Sequence, residues 1–198
     1  MKINQKFLTL LLTVCSIVWS YQTINAQSEE VYTGTAVSFN GPRTQTATFT
    51  LRLSGQTSNE EARSFLTTLQ EGGQDNLLKA IQKEDLGSFS IGSGLGRTLN
   101  VVRESTVDGK RRIFIVFERW LRFAEVRGGY RSVDYPFGVI ELFIDNKTGK
   151  GEGTYIAAAK IRWDRDEKKN QNQVEIENFA TYPVRLMGVQ RRNDRKKR

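Results

Sequence analysis

Apolar and polar residues alternate along most of the chain beyond its first thirty positions, and the alternation changes to a helical period in only one place. Over residues 44–53, Ala47, Phe49, Leu51 and Leu53 fall on one face and Thr46, Thr48, Thr50 and Arg52 on the other, the two-residue period of a half-buried strand. With the similar segment 31–39 and the Asn40-Gly41-Pro42 break between them, this predicts a hairpin. Asp108-Gly109 separates the alternating segments 99–107 and 111–117. Those two residues tolerate the positive φ angles of a two-residue turn, so a second hairpin is predicted there. Further strands are predicted over 121–126, 139–145, 153–163, 174–181 and 184–189, with polar turns over 146–151 and 164–173.

The helical period begins at Ser58-Asn59-Glu60-Glu61, a capping box in which the serine and glutamate side chains each accept from the other's backbone N–H. Ala62, Phe65, Leu66 and Leu69 make an apolar stripe, and Gly72-Gly73 is expected to stop the helix. Leu77, Leu78 and Ile81 predict a second short helix ending near Glu84, giving a helical hairpin over about 58–84. Residues 87–96 are rich in glycine and serine, which predicts a flexible loop or an irregular edge strand. The fold expected is mainly β: an antiparallel sandwich or partly closed barrel of about eight or nine strands, with the helical hairpin inserted after the second strand. No repeat or linker divides it, so one domain is expected over 27–190. A transmembrane barrel fits less well, because the helical residues interrupt it and no continuous outward apolar band is visible.

Lys2 and Lys6, the apolar run from Phe7 to Trp19 and Ile24-Asn25-Ala26 have the order of a secretory signal peptide. Cleavage after residue 26 and export to the periplasm or beyond are expected. Cleavage would remove two of 30 basic residues and the single cysteine, Cys15, leaving 22 acidic residues untouched. The core must then hold without disulfides, which a chain of this size can do. Most of the remaining positive charge sits at the end, in Arg191, Arg192, Arg195, Lys196, Lys197 and Arg198, with Asp194 the one acid among them. Such a run predicts a solvated, disordered tail over 191–198 able to attach to an anionic surface. Nucleic acid is not expected as a partner of an exported protein whose body carries almost no net charge.

Asp134-Tyr135-Pro136-Phe137, Val139-Ile140-Glu141-Leu142, Gly151-Glu152-Gly153, Glu177-Asn178-Phe179 and Pro183-Val184-Arg185-Leu186 together resemble a family of small exported bacterial proteins with no assigned activity. The resemblance spans most of the chain after the signal. It implies a single exported domain, and no substrate or cofactor.

The chain contains no histidine, which excludes nucleophile systems that need an imidazole base, and histidine-ligated metals and haem. No cofactor or metal is expected, and catalysis would have to rest on carboxylates, lysine, tyrosine or serine. Gly92-Ser93-Gly94-Leu95-Gly96 lacks the strand before and helix after that a phosphate loop requires. Asp145-Asn146-Lys147-Thr148-Gly149 is explained as a turn. Candidate ligand-binding residues are Glu141, Tyr135, Trp120 and Trp163. Glu141 is the one acid in an apolar run whose two faces both look buried, so a cation should pair with it, Arg112 or Arg185. A turn closing symmetrically over 146–151 would set Ile156 opposite it. Three functions remain open: a non-catalytic envelope module binding a partner protein or an anionic surface, a barrel-type carrier of a small apolar ligand, and a carboxylate-only hydrolase. The first is favoured.

Overall fold

The computed structural model describes residues 29–39, 43–119, 127, 131–166, 171–179 and 182–192. The predicted signal peptide, the predicted strand over 121–126, Trp120 and residues 193–198 lie outside them. Strands β1 (Glu30–Ser38) and β2 (Gln45–Leu53) form the first expected hairpin, in register from Glu30 opposite Leu53 to Ser38 opposite Gln45. Helix α1 (Asn59–Ile81) follows, then β3 (Gly87–Ile91), β4 (Arg97–Thr98), β5 (Val101–Val107), β6 (Lys110–Glu118), β7 (Phe137–Asp145), β8 (Lys150–Asp166), β9 (Gln171–Asn178) and β10 (Val184–Arg191). All pair antiparallel in the order β4-β3-β2-β1-β10-β8-β7-β6-β5, with β9 on the distal half of β8. The turn between β5 and β6 is the expected one, with Asp108 at φ 50° and Gly109 at φ 74°.

The described residues form ten strands, and residues 87–91 supply one of them. Under the glycine-serine composition, Ser88-Phe89-Ser90-Ile91 alternates, and Phe89 is buried against β2. Helix α1 begins with both bonds of the capping box: Glu61 N–H donates to Ser58 Oγ (3.1 Å) and Ser58 N–H to Glu61 Oε2 (2.7 Å). The two expected helices are joined through Gly73, whose φ of 69° breaks the helical run, and both halves bury side chains in one cluster, Leu69 from the first and Leu77 and Ile81 from the second.

The sheet order ends on β4 and β5, which are consecutive in the chain. One stretch of backbone therefore changes partners at Leu99-Asn100. Leu99 continues the β3 side, its N–H donating to Gly87 O (2.9 Å) and its carbonyl accepting from Leu86 N–H (2.9 Å). Asn100 continues the β6 side, its N–H donating to Val116 O (3.3 Å). The buried Asn100 side chain bridges the gap: Nδ2 donates to Glu84 O (2.9 Å) and Oδ1 accepts from Glu118 N–H (2.9 Å). The result is a partly open barrel in which the Asn100 side chain spans the place of a missing ladder.

Extra residues in β8, opposite residues 137–139, and in β10 bend the sheet. Between Leu186 and Val189 the register shifts against β8, and between Thr33 and Thr35 it shifts against the same residues, where Gly188 adopts φ 60°. The rolled sheet encloses an apolar core in which Phe89 meets the rings of Phe49 (5.9 Å), Phe117 (6.1 Å) and Tyr155 (5.1 Å). Gly138 is required beneath Phe117, since a Cβ there would stand 2.5 Å from the ring. A second cluster lies on the outer surface, where α1 covers Val116, Phe137 and Val139. The distal half of β8 and β9 extend beyond the barrel as a ribbon whose Ile161 and Ile176 pack against the same helix. No helix among the described residues is long and apolar enough to cross a membrane.

Candidate functional site

Helix, barrel wall and ribbon do not close completely on one another. They bound a cleft of about 470 Å³, inside the range of small-ligand sites, roughly 300–1,000 Å³. Phe65, Leu66 and Leu77 line it from α1, Val101 and Phe114 from the barrel wall, and Val174 and Ile176 from the ribbon. Strand alternation explains the wall: on β6, Ile113, Ile115 and Phe117 point into the filled barrel, which leaves Arg112, Phe114 and Val116 for the outer face. The cleft opens to solvent past Leu66 and Val174, which are 42% and 39% exposed. Two arginines, Arg103 on β5 and Arg112 on β6, are its charged lining.

Glu141 lies beside this cleft and pairs with one of the two cations expected for it: Arg112 Nε donates to Glu141 Oε1 at 2.6 Å. The Arg112 guanidinium also stands 5.5 Å from the Phe114 ring centre. Two expectations need correction. Thr154, not Ile156, is opposite Glu141. The turn is shorter than a symmetric one: Asp145 Oδ1 accepts from Lys147 N–H, Thr148 N–H and Thr148 Oγ1, and Gly149 at φ 65° returns the chain to pairing at Lys150. The shift is two residues, so the face was assigned correctly and the neighbour was not. Nor are both faces of β7 closed: Ile140, Leu142 and Ile144 are buried, but Glu141 and Phe143 are only half-buried on the other side. Because the pair is half in water, Glu141→Gln, which keeps an acceptor for Arg112, should cost only about 0.5–1 kcal/mol in urea unfolding. A loss above about 2 kcal/mol would mean that the pair is effectively buried.

The other expected ligand residues are not brought together. Tyr135 is buried, its hydroxyl bonded to Glu177 and its ring 4.9 Å from Phe179. Trp163 packs half-buried in the cluster under α1, and Trp120 is outside the described residues. The expected tail also begins later than its charge suggests. Arg191 is the last residue of β10 and pairs with Glu30 (3.1 Å), and Arg192 N–H donates to Val31 O (2.7 Å). Sequence reasoning missed Arg103, whose type was visible but whose cleft needed α1 and β9 to be placed, and it missed the role of Leu66 and Val174 at the rim.

At the opposite end of β5 and β6 from the seam, Arg111 gathers two acids. It pairs with Glu104, through Nε at 2.7 Å and through Nη2, and with Glu30 (2.8 Å), and it donates to Tyr32 Oη (2.8 Å), which itself donates to Glu30 Oε2 (2.7 Å). Among the described residues, four carboxyls are held below their ordinary range. Burial raises Glu30, but the Tyr32 hydrogen bond and the Arg111 and Arg191 charges outweigh it and hold it low. Hydrogen bonds from Ser58 N–H, Thr148 N–H and the Tyr135 hydroxyl hold Glu61, Asp145 and Glu177 low in the same sense. No family model, curated protein or solved structure matches this chain.

Proposed function

We propose that this protein is an exported, non-catalytic binding module that takes a small, largely apolar ligand into the cleft between α1, the barrel wall and the β8–β9 ribbon. The cleft itself carries the reading: an apolar site of ligand size, left open on the outside of a barrel whose interior is filled. The ligand is therefore held under the helix rather than within the barrel. The basic residues that follow β10 support attachment of the module to an anionic surface.

Dodecanol is a suitable probe, being a single apolar chain with a neutral end. The full chain should bind it saturably in titration calorimetry. Leu66 and Val174 are exposed, so Leu66→Gln/Val174→Gln should leave stability within about 0.5 kcal/mol. The same pair of changes should weaken dodecanol binding roughly 5- to 30-fold, the equivalent of about 1–2 kcal/mol of lost apolar contact. Absence of saturable binding, or binding indifferent to both changes, would discard the reading.

A further inference from the structure

The two arginines of the cleft are chemically unlike. Arg112 is neutralised by the Glu141 carboxylate at 2.6 Å and lies against Phe114, so it presents a flat, charge-balanced wall. Arg103 has no such partner: Nη1 donates to Thr57 O (2.7 Å) and Nη2 to Asn59 Oδ1 (2.7 Å), both neutral oxygens. A guanidinium has five N–H donors, so among the described residues three remain without an acceptor and no carboxylate balances the charge. Among the described residues none of the acids on the adjoining segments pairs with Arg103, exposed Glu60 in the first turn of α1 included. Glu104 faces Arg111, Glu61 turns back to Ser58 N–H, and Glu175 pairs with Arg162.

Arg103 is also fixed in place. Thr57, which accepts through its carbonyl, is buried and bound to β5 at Val102 by two bonds, its N–H donating to Val102 O (2.9 Å) and its Oγ1 accepting from Val102 N–H (3.0 Å). Asn59 is the first residue of α1, so the guanidinium stands beside the positive end of the helix dipole. A cation so oriented at the edge of an apolar cleft matches a ligand with an apolar body and an anionic end. We infer, resting on the cleft reading above, that the ligand is an amphipathic acid, with its apolar chain under α1 and its anionic head on Arg103.

Dodecanoate and dodecanol share one chain and differ in the head, so they separate the two readings. At pH 8 the full chain should bind dodecanoate about 10- to 100-fold more tightly than dodecanol, the range expected of a charge-assisted hydrogen-bonded pair. Asn59→Asp would place a carboxylate on the Nη2 that Asn59 already accepts from, neutralising Arg103 without changing its shape. It should abolish the preference and leave dodecanol binding intact, and Arg103→Gln should abolish the preference as well, read as the ratio of the two affinities within that variant, with thermal unfolding checking that each variant is folded. Equal affinity for the two probes in the unaltered chain would overturn the anionic head while sparing the cleft. A preference surviving both changes would overturn the role of Arg103. Binding of neither probe would overturn both readings, as would a dimer in sedimentation that Leu66→Gln/Val174→Gln dissociates, since a second copy would then cover the cleft.

Discussion

Replacing Arg111 by methionine is expected to lower the unfolding free energy by about 2–4 kcal/mol, the range for removing one partner of a buried ion pair, reduced here because the groups keep some contact with water. Exposure is 24% for the Arg111 side chain, 19% for Glu30 and 20% for Glu104. The cost is large because of topology. Glu104 is on β5 and Arg111 on β6, but Glu30 and Tyr32 are on β1, which is separated from β6 in the sheet by β10, β8 and β7. One side chain thus ties together strands that meet only because the sheet rolls up. Without it, two carboxylates face each other and the Tyr32 hydroxyl loses a donor. A fall in melting temperature of roughly 5–15 °C should accompany the loss. Adding Glu104→Gln to Arg111→Met should restore about 1 kcal/mol by removing one stranded charge. A single-variant loss below about 1 kcal/mol would show that the contact does not hold the barrel end.

The same group contributes to the pH dependence of the fold at both ends of the range. Glu30 is held below its ordinary 4.5 by the Tyr32 hydrogen bond and by the Arg111 and Arg191 charges, against the opposing effect of burial. As pH falls below that value the unfolded chain takes up the proton first. The stabilisation is therefore complete above about 4.5 and is lost as pH falls through the lower folded value. Tyr32 is pushed up, first by burial and then by its bond to Glu30. On the alkaline side the unfolded chain loses that proton first, so stability falls as pH rises beyond the ordinary tyrosine value of 10.0.

What could be foreseen from the residues was local. Asp108-Gly109 announces its turn because few other pairs accept two positive φ angles, and Ser58 with Glu61 announces a helix start because the two bonds lie within one turn. Arg112 could be proposed for Glu141 because an uncompensated acid in an apolar run demands a cation, and few strands could supply one. The cleft and the barrel end were hidden for one shared reason. Alternation tells which residues share a face, but not which distant strand that face will meet. Arg111 and Tyr32 are 79 positions apart, and nothing in either segment indicates the other. Arg103 reads as one more outward cation on a strand until α1 and the ribbon are set around it. Strand β3 stood between two readings, a loop or an irregular edge strand, because glycine and serine suggest the first while their spacing keeps Phe89 and Ile91 on one face.

Asn100→Ala is expected to cost about 2–4 kcal/mol and to open the barrel at its seam. Asn100 is 4% exposed and answers two backbone groups at once, accepting from Glu118 N–H and donating to Glu84 O. Alanine would leave both unanswered away from water, at about 1–3 kcal/mol for each such group, partly relieved if water enters the gap. Asn100→Asp discriminates between the two bonds, since it retains an acceptor for Glu118 N–H but presents a carboxylate to the Glu84 carbonyl. It should destabilise at least as much as alanine. The consequence reaches beyond the position itself, because no ladder joins β4 to β5 and the side chain holds the strands around the gap in place. Amide hydrogen exchange should therefore quicken at Leu86, Leu99 and Glu118, whose N–H groups flank the seam, while those of the β1–β2 hairpin keep their protection. The exposed edges would also favour association of chains at higher concentration. Protection unchanged at Glu118, or a stability loss under about 0.5 kcal/mol, would show that the two ends of the sheet hold together without Asn100.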